Sequence, residues 1–313
     1  MLLSRVADAL YWISRYLERA EHTARLVDVA RELGLDRAAS VRSRAIDRLY
    51  NSLGLPSGAE GEQSLVRLAL FDPAHRNSVA ACVMSARENA RQVREEISSD
   101  MWEQINDLFL RVRKLQEASA GGRTHYVSRV IVEGVHLFAG VTDATMGHGE
   151  GWQYLQAGRF LERAASTATL LDAFLVDAGD EAPAALDQAD WVALLRSCSA
   201  LEGYCRRYTA DVRPERVTEF LLLDAECPRS IRFAATRLEA ALRAMAQYSG
   251  RPVGAAERLS GRLRASLDYG QVDEILSDDP HAYLTSVSRQ CAQIHSSVYQ
   301  SYVSYSIDIA LSA

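Results

Sequence analysis

The stretch RYLERAEHTARLVD at residues 15–28 returns 144 positions later as RFLERAASTATLLD at residues 159–172. Neither copy contains Gly or Pro, and both are rich in strong helix formers, so each reads as helix. Both keep the order Arg-x-x-Glu-Arg: Arg15, Glu18 and Arg19 in the first copy, Arg159, Glu162 and Arg163 in the second. At an offset of 152, LALFDPAHRNSV (68–79) lies over FLLLDAECPRSI (220–231), matching Asp72 to Asp224, Ser78 to Ser230 and Val79 to Ile231. Two matches at nearly one offset predict a tandem duplication, with a first half at 1–145 and a second half at 146–313. Two copies are too few for a solenoid. The expected architecture is one all-α domain over 1–313, a helical bundle of two halves packed about a pseudo-two-fold axis.

Composition agrees with that expectation. Of 313 residues, 48% are hydrophobic, enough for a packed core, and only 18 Gly and 7 Pro punctuate the chain. Breaks are predicted where Gly, Pro, Ser and acidic residues gather: 54–62, 117–124, 147–151, 177–184 and 249–256. Asp72-Pro73 reads as an N-cap followed by Pro at the first helical position, and Pro228 plays the same part in the second half. A net charge of -6 gives no basic field for a phosphate backbone, which argues against nucleic acid. Lys114 is the single lysine, a skew that fits a GC-rich genome rather than a binding surface. The five scattered cysteines (Cys82, Cys198, Cys205, Cys227, Cys291) include no Cys-x-x-Cys and read as reduced filler. No apolar run approaches the roughly 18 residues of a membrane span, and the chain opens directly on an amphipathic segment. A cytoplasmic location is expected, with no membrane partner.

On a helix, Val6, Leu10, Ile13, Leu17, Ala20, Ala24 and Val27 form one apolar stripe, while Arg15, Glu18, Arg19 and His22 share the opposite side. A solvated charged face is the ordinary reading of such a pattern. Two features favour burial instead. Tyr11, Trp12 and Leu26, with Leu155 and Leu170 in the second copy, project on the charged side, and a helix apolar all round is usually buried all round. The Arg-Glu-Arg positions also agree between copies, whereas His22 has become Ser166 and Arg25 has become Thr169. If the copies meet, four guanidinia face Glu18 and Glu162. Either an anionic ligand sits between the halves, or the excess arginines pair with other acids such as Glu21 or with helix carbonyls.

Other chemistry has less support. Glu18, Glu162 and Glu133-x-x-His136 supply three of the four parts of a carboxylate-bridged metal centre, but the second Glu-x-x-His is missing and arginines flank both glutamates. No metal and no cofactor are expected. MGHGEGWQ (146–153) is a Gly-rich turn entering a helix, without the preceding strand or following Lys-Ser/Thr of a phosphate loop. Residues 85–106 read as a helix with Arg87, Arg91 and Arg94 along one side, usually a solvated face, and Asn89 in mid-helix is unexplained. Acyl-enzyme motifs are absent.

Together, ALYWISRYLERAEHTARLVD, the Arg87-Glu88-Asn89 block with Trp102, FAGVTDATMGHGEGWQYLQAGRFLERA and CPRSIRFA resemble the bacterial alpha-E family, from residue 1 almost to the end. By that resemblance, Glu18-Arg19 and Glu162-Arg163 are signature pairs, Thr142-Asp143 with Gly151-Trp152 form a third block, and Arg229-Ser230 a fourth. GHGEGW departs from the more charged Arg-Asp type of stretch expected before the tryptophan, which affects His148. The resemblance implies a partner rather than a lone catalyst. Such proteins accompany or are fused to a circularly permuted ATP-grasp protein, often near a transglutaminase-like protein, in amide or peptide formation or modification; ATP would be used by the partner. The substrate- or partner-binding set expected on these grounds is Arg15, Glu18, Arg19, His22, Arg159, Glu162, Arg163, Arg87, Asn89, Asp143, Trp152, Arg229 and Ser230. A purely structural Arg-Glu network, an independent metal-dependent or amide-forming enzyme and a homo-oligomer remain alternatives.

Overall fold

The computed structural model describes residues 2–34, 46–48, 51–54, 61–118, 124–177, 186–250 and 252–303. It is all-helical, with no strand among the described residues. The two longest helices, α1 (Ser4–Gly34) and α6 (Glu150–Asp177), contain the repeated stretch. They run side by side in the same direction: the Leu2 amide donates to Glu150, Tyr11 and Ser14 face Gly158, and Glu18 reaches Arg163. Because the direction is shared, residues one repeat apart lie opposite each other.

Around this pair the other helices form two similar sets. With α2 (Gly61–Phe71) beside them, α3 (Val79–Gln92) and α5 (Thr124–Thr145) flank α1, and α4 (Ser99–Glu117) packs on both flankers. After α7 (Gln188–Ser197), α8 (Leu201–Tyr208) and α9 (Pro214–Leu223), α10 (Ile231–Ser249) and α13 (Pro280–Val298) flank α6. Between them α11 (Ala255–Asp268) packs on both, and α12 (Val272–Ser277) closes the end. A π-helical turn at Tyr299–Val303 follows. The predicted stripe Val6, Leu10, Ile13, Leu17, Ala20, Ala24 and Val27 is buried, and so are Tyr11, Leu26, Leu155 and Leu170 on the charged side. α1 therefore has protein on both sides, which settles where its charges lie.

Helix ends correct two expectations. No helix starts at Pro73 or Pro228. Instead Asp72 accepts the Ala74 amide (2.9 Å), and Asp224 accepts those of Glu226 (2.8 Å) and Cys227 (2.6 Å). An aspartate that bonds a backbone amide two residues on makes a turn. The caps come six residues later. Ser78 accepts from Ala81 N (3.1 Å) to start α3, and Ser230 from Phe233 N (3.0 Å) to start α10. Residues 85–106 are likewise not one helix. α3 stops at Gln92, and α4 restarts on the Ser98 cap, with Asp100 favourably placed in its first turn.

Predicted breaks at 147–151 and 249–256 are present; Gly250 caps α10 in the left-handed region (φ 64°). Those at 54–62, 117–124 and 177–184 fall largely outside the described residues. The five cysteines form no disulfide, and four are buried. Among the described residues, no helix is long and apolar enough to cross a membrane.

Candidate functional site

α1 and α6 come into close contact at Gly158. A Cβ there would lie 2.2 Å from the Tyr11 carbonyl oxygen and 2.4 Å from Ser14 Oγ, so only glycine fits. Ser14 is the residue one repeat earlier, and one helical turn beyond this crossing stand Glu18 and Glu162. Each reaches into the other helix. Glu18 accepts from Arg163 Nε (2.7 Å) and Nη2 (2.8 Å); Glu162 accepts from Arg19 Nε (2.6 Å) and Nη2 (3.1 Å), and from Arg15 Nε (2.8 Å). The residues at 15 and 159 complete the exchange, although Arg159 stops 3.6 Å short of Glu18. Glu18 and Glu162 are 2% and 5% exposed, so the solvated-face reading is excluded.

Elements outside the repeated helices finish the cluster. Arg229, held by its place just before the Ser230 cap, bridges Glu18 (2.8 Å) and Glu21 (2.6 Å). Glu21 also pairs with Arg25 (2.7 Å) and His136 (3.0 Å). The remaining forks find neutral acceptors: Arg19 Nη1 donates to Asn77 Oδ1 (3.0 Å) and Arg163 Nη1 to the Pro228 carbonyl (3.1 Å). Arg15 lies over Trp12 (4.7 Å) and 3.1 Å from His295 Nδ1. Tyr11 Oη is 3.0 Å from the same nitrogen.

Electrostatics follow from this packing. Burial pushes the Glu18 carboxyl up, but Arg163 and Arg229 outweigh it and hold it below the usual value. Burial is likewise overcome at Glu162 by Arg15 and Arg19, and at Glu21 by Arg229, His136 and Arg25, which hold it well below. Arg159 is lowered as well, by burial and then by Arg163, which here disfavours its charged form. His22, buried with no partner at Nε2 among the described residues, is pushed down to about 4 by burial and Arg229. His295 falls to about 4 through burial and Arg15.

These shifts set a pH dependence. Unfolded, His22 and His295 titrate near pH 6.5. Between about 6.5 and about 4 the unfolded chain binds protons that the folded chain excludes, so stability falls with pH, by at most about 1.4 kcal/mol per unit for each histidine. Below that window the depressed carboxylates act in the same direction. His281, raised by its hydrogen bond to Asp172, works oppositely but is exposed. The urea midpoint should be flat above pH 7 and decline steadily from 6.5 to 4. His22→Asn should flatten part of that decline, and a midpoint unchanged down to pH 4.5 would contradict the assignment.

The expected site residues separate into three groups. Arg15, Glu18, Arg19, His22, Arg159, Glu162, Arg163 and Arg229 share the α1–α6 cluster, with Ser230 acting as a helix cap. Arg87 lies on α3, over Phe109 (4.7 Å) and Trp102 (5.5 Å), while Asn89 is half-buried on that helix without a side-chain hydrogen bond among the described residues. Asp143 and Trp152 meet through His148, which stacks on Trp152 (4.4 Å) and bonds the Asp143 carbonyl (3.1 Å). Among the described residues no hydrogen bond, ion pair or ring contact joins the three groups. Asn77, His136 and His295 were missed as neighbours of the cluster. A separate trio, half-buried Asp28 and Glu32 with exposed His125, brings metal-ligand-type atoms within 4.8 Å of one another, but Arg196 already stands 2.5 Å from Glu32.

Comparison with known proteins adds the family. Three mycobacterial proteins match at 28% identity over 94% of this chain, among them Uncharacterized protein Mb2597 of Mycobacterium bovis and Uncharacterized protein Rv2567 of Mycobacterium tuberculosis. The chain spans 35% of the length of these relatives. No solved structure matches it. The Alpha-E family model, described as a predicted alpha-helical domain with a conserved ER motif, matches residues 2–303. With that match running through nearly the whole sequence and two Glu-Arg pairs interlocked at the central helix contact, this chain belongs to the Alpha-E family.

Proposed function

We propose that this chain is a non-catalytic helical partner of a circularly permuted ATP-grasp ligase in amide or peptide formation. In this reading it arose by tandem duplication, and its Arg-Glu core fixes the halves 1–145 and 146–313 about a pseudo-two-fold axis. One observation carries the core's role: Glu18 pairs with Arg163 while Glu162 pairs with Arg19, an exchange between equivalent positions. Opposite charges locked reciprocally in the interior specify one register of α1 on α6 and resist substitution.

Support for a non-catalytic role comes from the state of the reactive side chains. Three thiols, Cys82, Cys198 and Cys291, are pushed up to about 12 by burial, which removes the thiolate a nucleophile needs. The cluster's carboxylates are ion-paired and shielded from solvent. The ligase partner rests on the family resemblance, and the mycobacterial relatives support it to the extent that the matching segment is about a third of a longer chain. The free thiols fit a reducing, cytoplasmic setting.

A second reading is favoured by Arg159. Its side chain is 32% exposed and stops 3.6 Å from its acid, at the edge of a cluster where guanidinia outnumber carboxylates. An anionic group of substrate or partner would complete it. Co-expression with an ATP-grasp protein tests both readings. A stable complex whose ATP-dependent amide product requires this chain is expected. Arg159→Gln should leave the fold intact, and it lowers product only if the anion reading holds. Absence of a complex, together with product formation independent of this chain, would remove the partner role.

A further inference from the structure

The surfaces where α3 meets α4 and where α10 meets α11 are built to one register but end differently. Nine residues after the serine caps stand Arg87 on α3 and Glu239 on α10. The buried spacing Met101, Ile105, Leu108, Val112 on α4 recurs on α11 as Ala256, Ser260, Leu263, Leu267. That register sets Asn106 against Gly261 and Phe109 against Arg264. On the α3–α4 surface Arg87 donates to Asn106 (2.8 Å) and lies on Phe109, which fills the seam. On α10–α11 a carboxylate replaces the guanidinium and glycine replaces the amide side chain. The seam opens into a groove of about 590 Å³.

Its charge is the reverse of the whole protein's. Glu239 and Gly261 lie on the floor; Arg243, Arg258, Arg262 and Arg264 form the rim. Glu239 is buried and pins two of them, Arg243 at 2.7 Å and Arg264 at 3.0 Å, and Arg264 also approaches Asp268 (3.6 Å). Arg258 is steadied by the Val253 carbonyl (3.1 Å). The Arg262 side chain is exposed and has no hydrogen bond or ion pair among the described residues. Four guanidinia against two carboxylates leave a local excess of positive charge in a chain of net charge -6. The groove volume lies in the range of small-molecule sites, roughly 300–1,000 Å³. Guanidinium forks match the oxygens of phosphate and carboxylate groups, and three of the four are already held, which reduces the ordering a ligand must impose.

The geometry points to this groove as a binding site for a small polyanion carrying two or more phosphate or carboxylate groups. It shares no residue with the α1–α6 cluster, so it goes beyond the partner role and either can fail alone.

Calorimetric titration of the 313-residue chain with inorganic pyrophosphate and, separately, with citrate at low salt tests it, and the two arms distinguish phosphate from carboxylate ligands. Saturable one-to-one binding to at least one probe is expected. Arg258→Ser with Arg262→Ser, both exposed positions, should weaken it roughly tenfold or more. Gly261→Asn refills the seam with every guanidinium retained and should weaken it as well. Arg129→Ser, exposed on α5, should change nothing. No saturable heat with either probe, or binding unaffected by the groove substitutions, would overturn the site.

Discussion

Replacing Glu18 with alanine is expected to lower the unfolding free energy by about 3–5 kcal/mol, the range for breaking a buried ion pair from one side. The magnitude follows from what remains. Arg163 loses the carboxylate that offsets its desolvation, Arg229 keeps only Glu21, and Arg159 loses the acid it approaches among the described residues. Two of these three guanidinia are buried and cannot turn to water. An exposed pair supplies the contrast: Glu88→Ala, which frees Arg91 on the surface of α3, should leave the unfolding free energy nearly unchanged. Urea denaturation of both variants at pH 7 makes the measurement. A loss under 1 kcal/mol for Glu18→Ala would mean that water reaches the guanidinia, and the clamp reading would fail. Since Glu162 has its own pair, Arg15 and Arg19, Glu162→Ala should match Glu18→Ala in size.

Local rules in the sequence reached the helices and the burial of the central one, because those depend on neighbours three and four residues apart. Tyr11 and Leu26 on the charged side of α1 were enough to tell that solvent does not cover it. Agreement of the Arg-Glu-Arg triplet between copies was enough to place the two glutamates in one network. What stayed illegible has two physical sources. One is that Asp-Pro serves a turn as well as an N-cap; the choice at Asp72 was made by Ser78, six residues on, whose hydroxyl starts α3 while donating back to the Asp72 carbonyl. The other is distance along the chain. His295 reaches Arg15 across 280 positions and His136 reaches Glu21 across 115, on helices whose own patterns carry no sign of either contact. Arg229 was readable only through the family resemblance, and its bridging of Glu18 to Glu21 depends on where the Ser230 cap points the preceding residue.

Gly158→Ala sets two effects of opposite sign against each other. Alanine in mid-helix gains about 1 kcal/mol over glycine from backbone entropy. Against this, its Cβ would stand 2.2 Å from the Tyr11 carbonyl oxygen, a backbone atom that no rotamer change can move. Overpacking a rigid contact costs about 1–3 kcal/mol and more where backbone must shift, so a net loss of roughly 2 kcal/mol or more is expected in thermal and urea unfolding. Ser14→Gly should not rescue it, because removing the hydroxyl relieves the 2.4 Å contact and leaves the carbonyl in place. The crossing and the ion pairs are mechanically linked, since Glu18 and Glu162 stand one turn beyond it. Helices forced apart at Gly158 stretch both Glu-Arg pairs, so Glu18→Ala should cost less in the Gly158→Ala background than alone, by roughly 0.5–3 kcal/mol. Strict additivity would separate the crossing from the charges, and a stabilised Gly158→Ala would mean that α1 and α6 do not touch there.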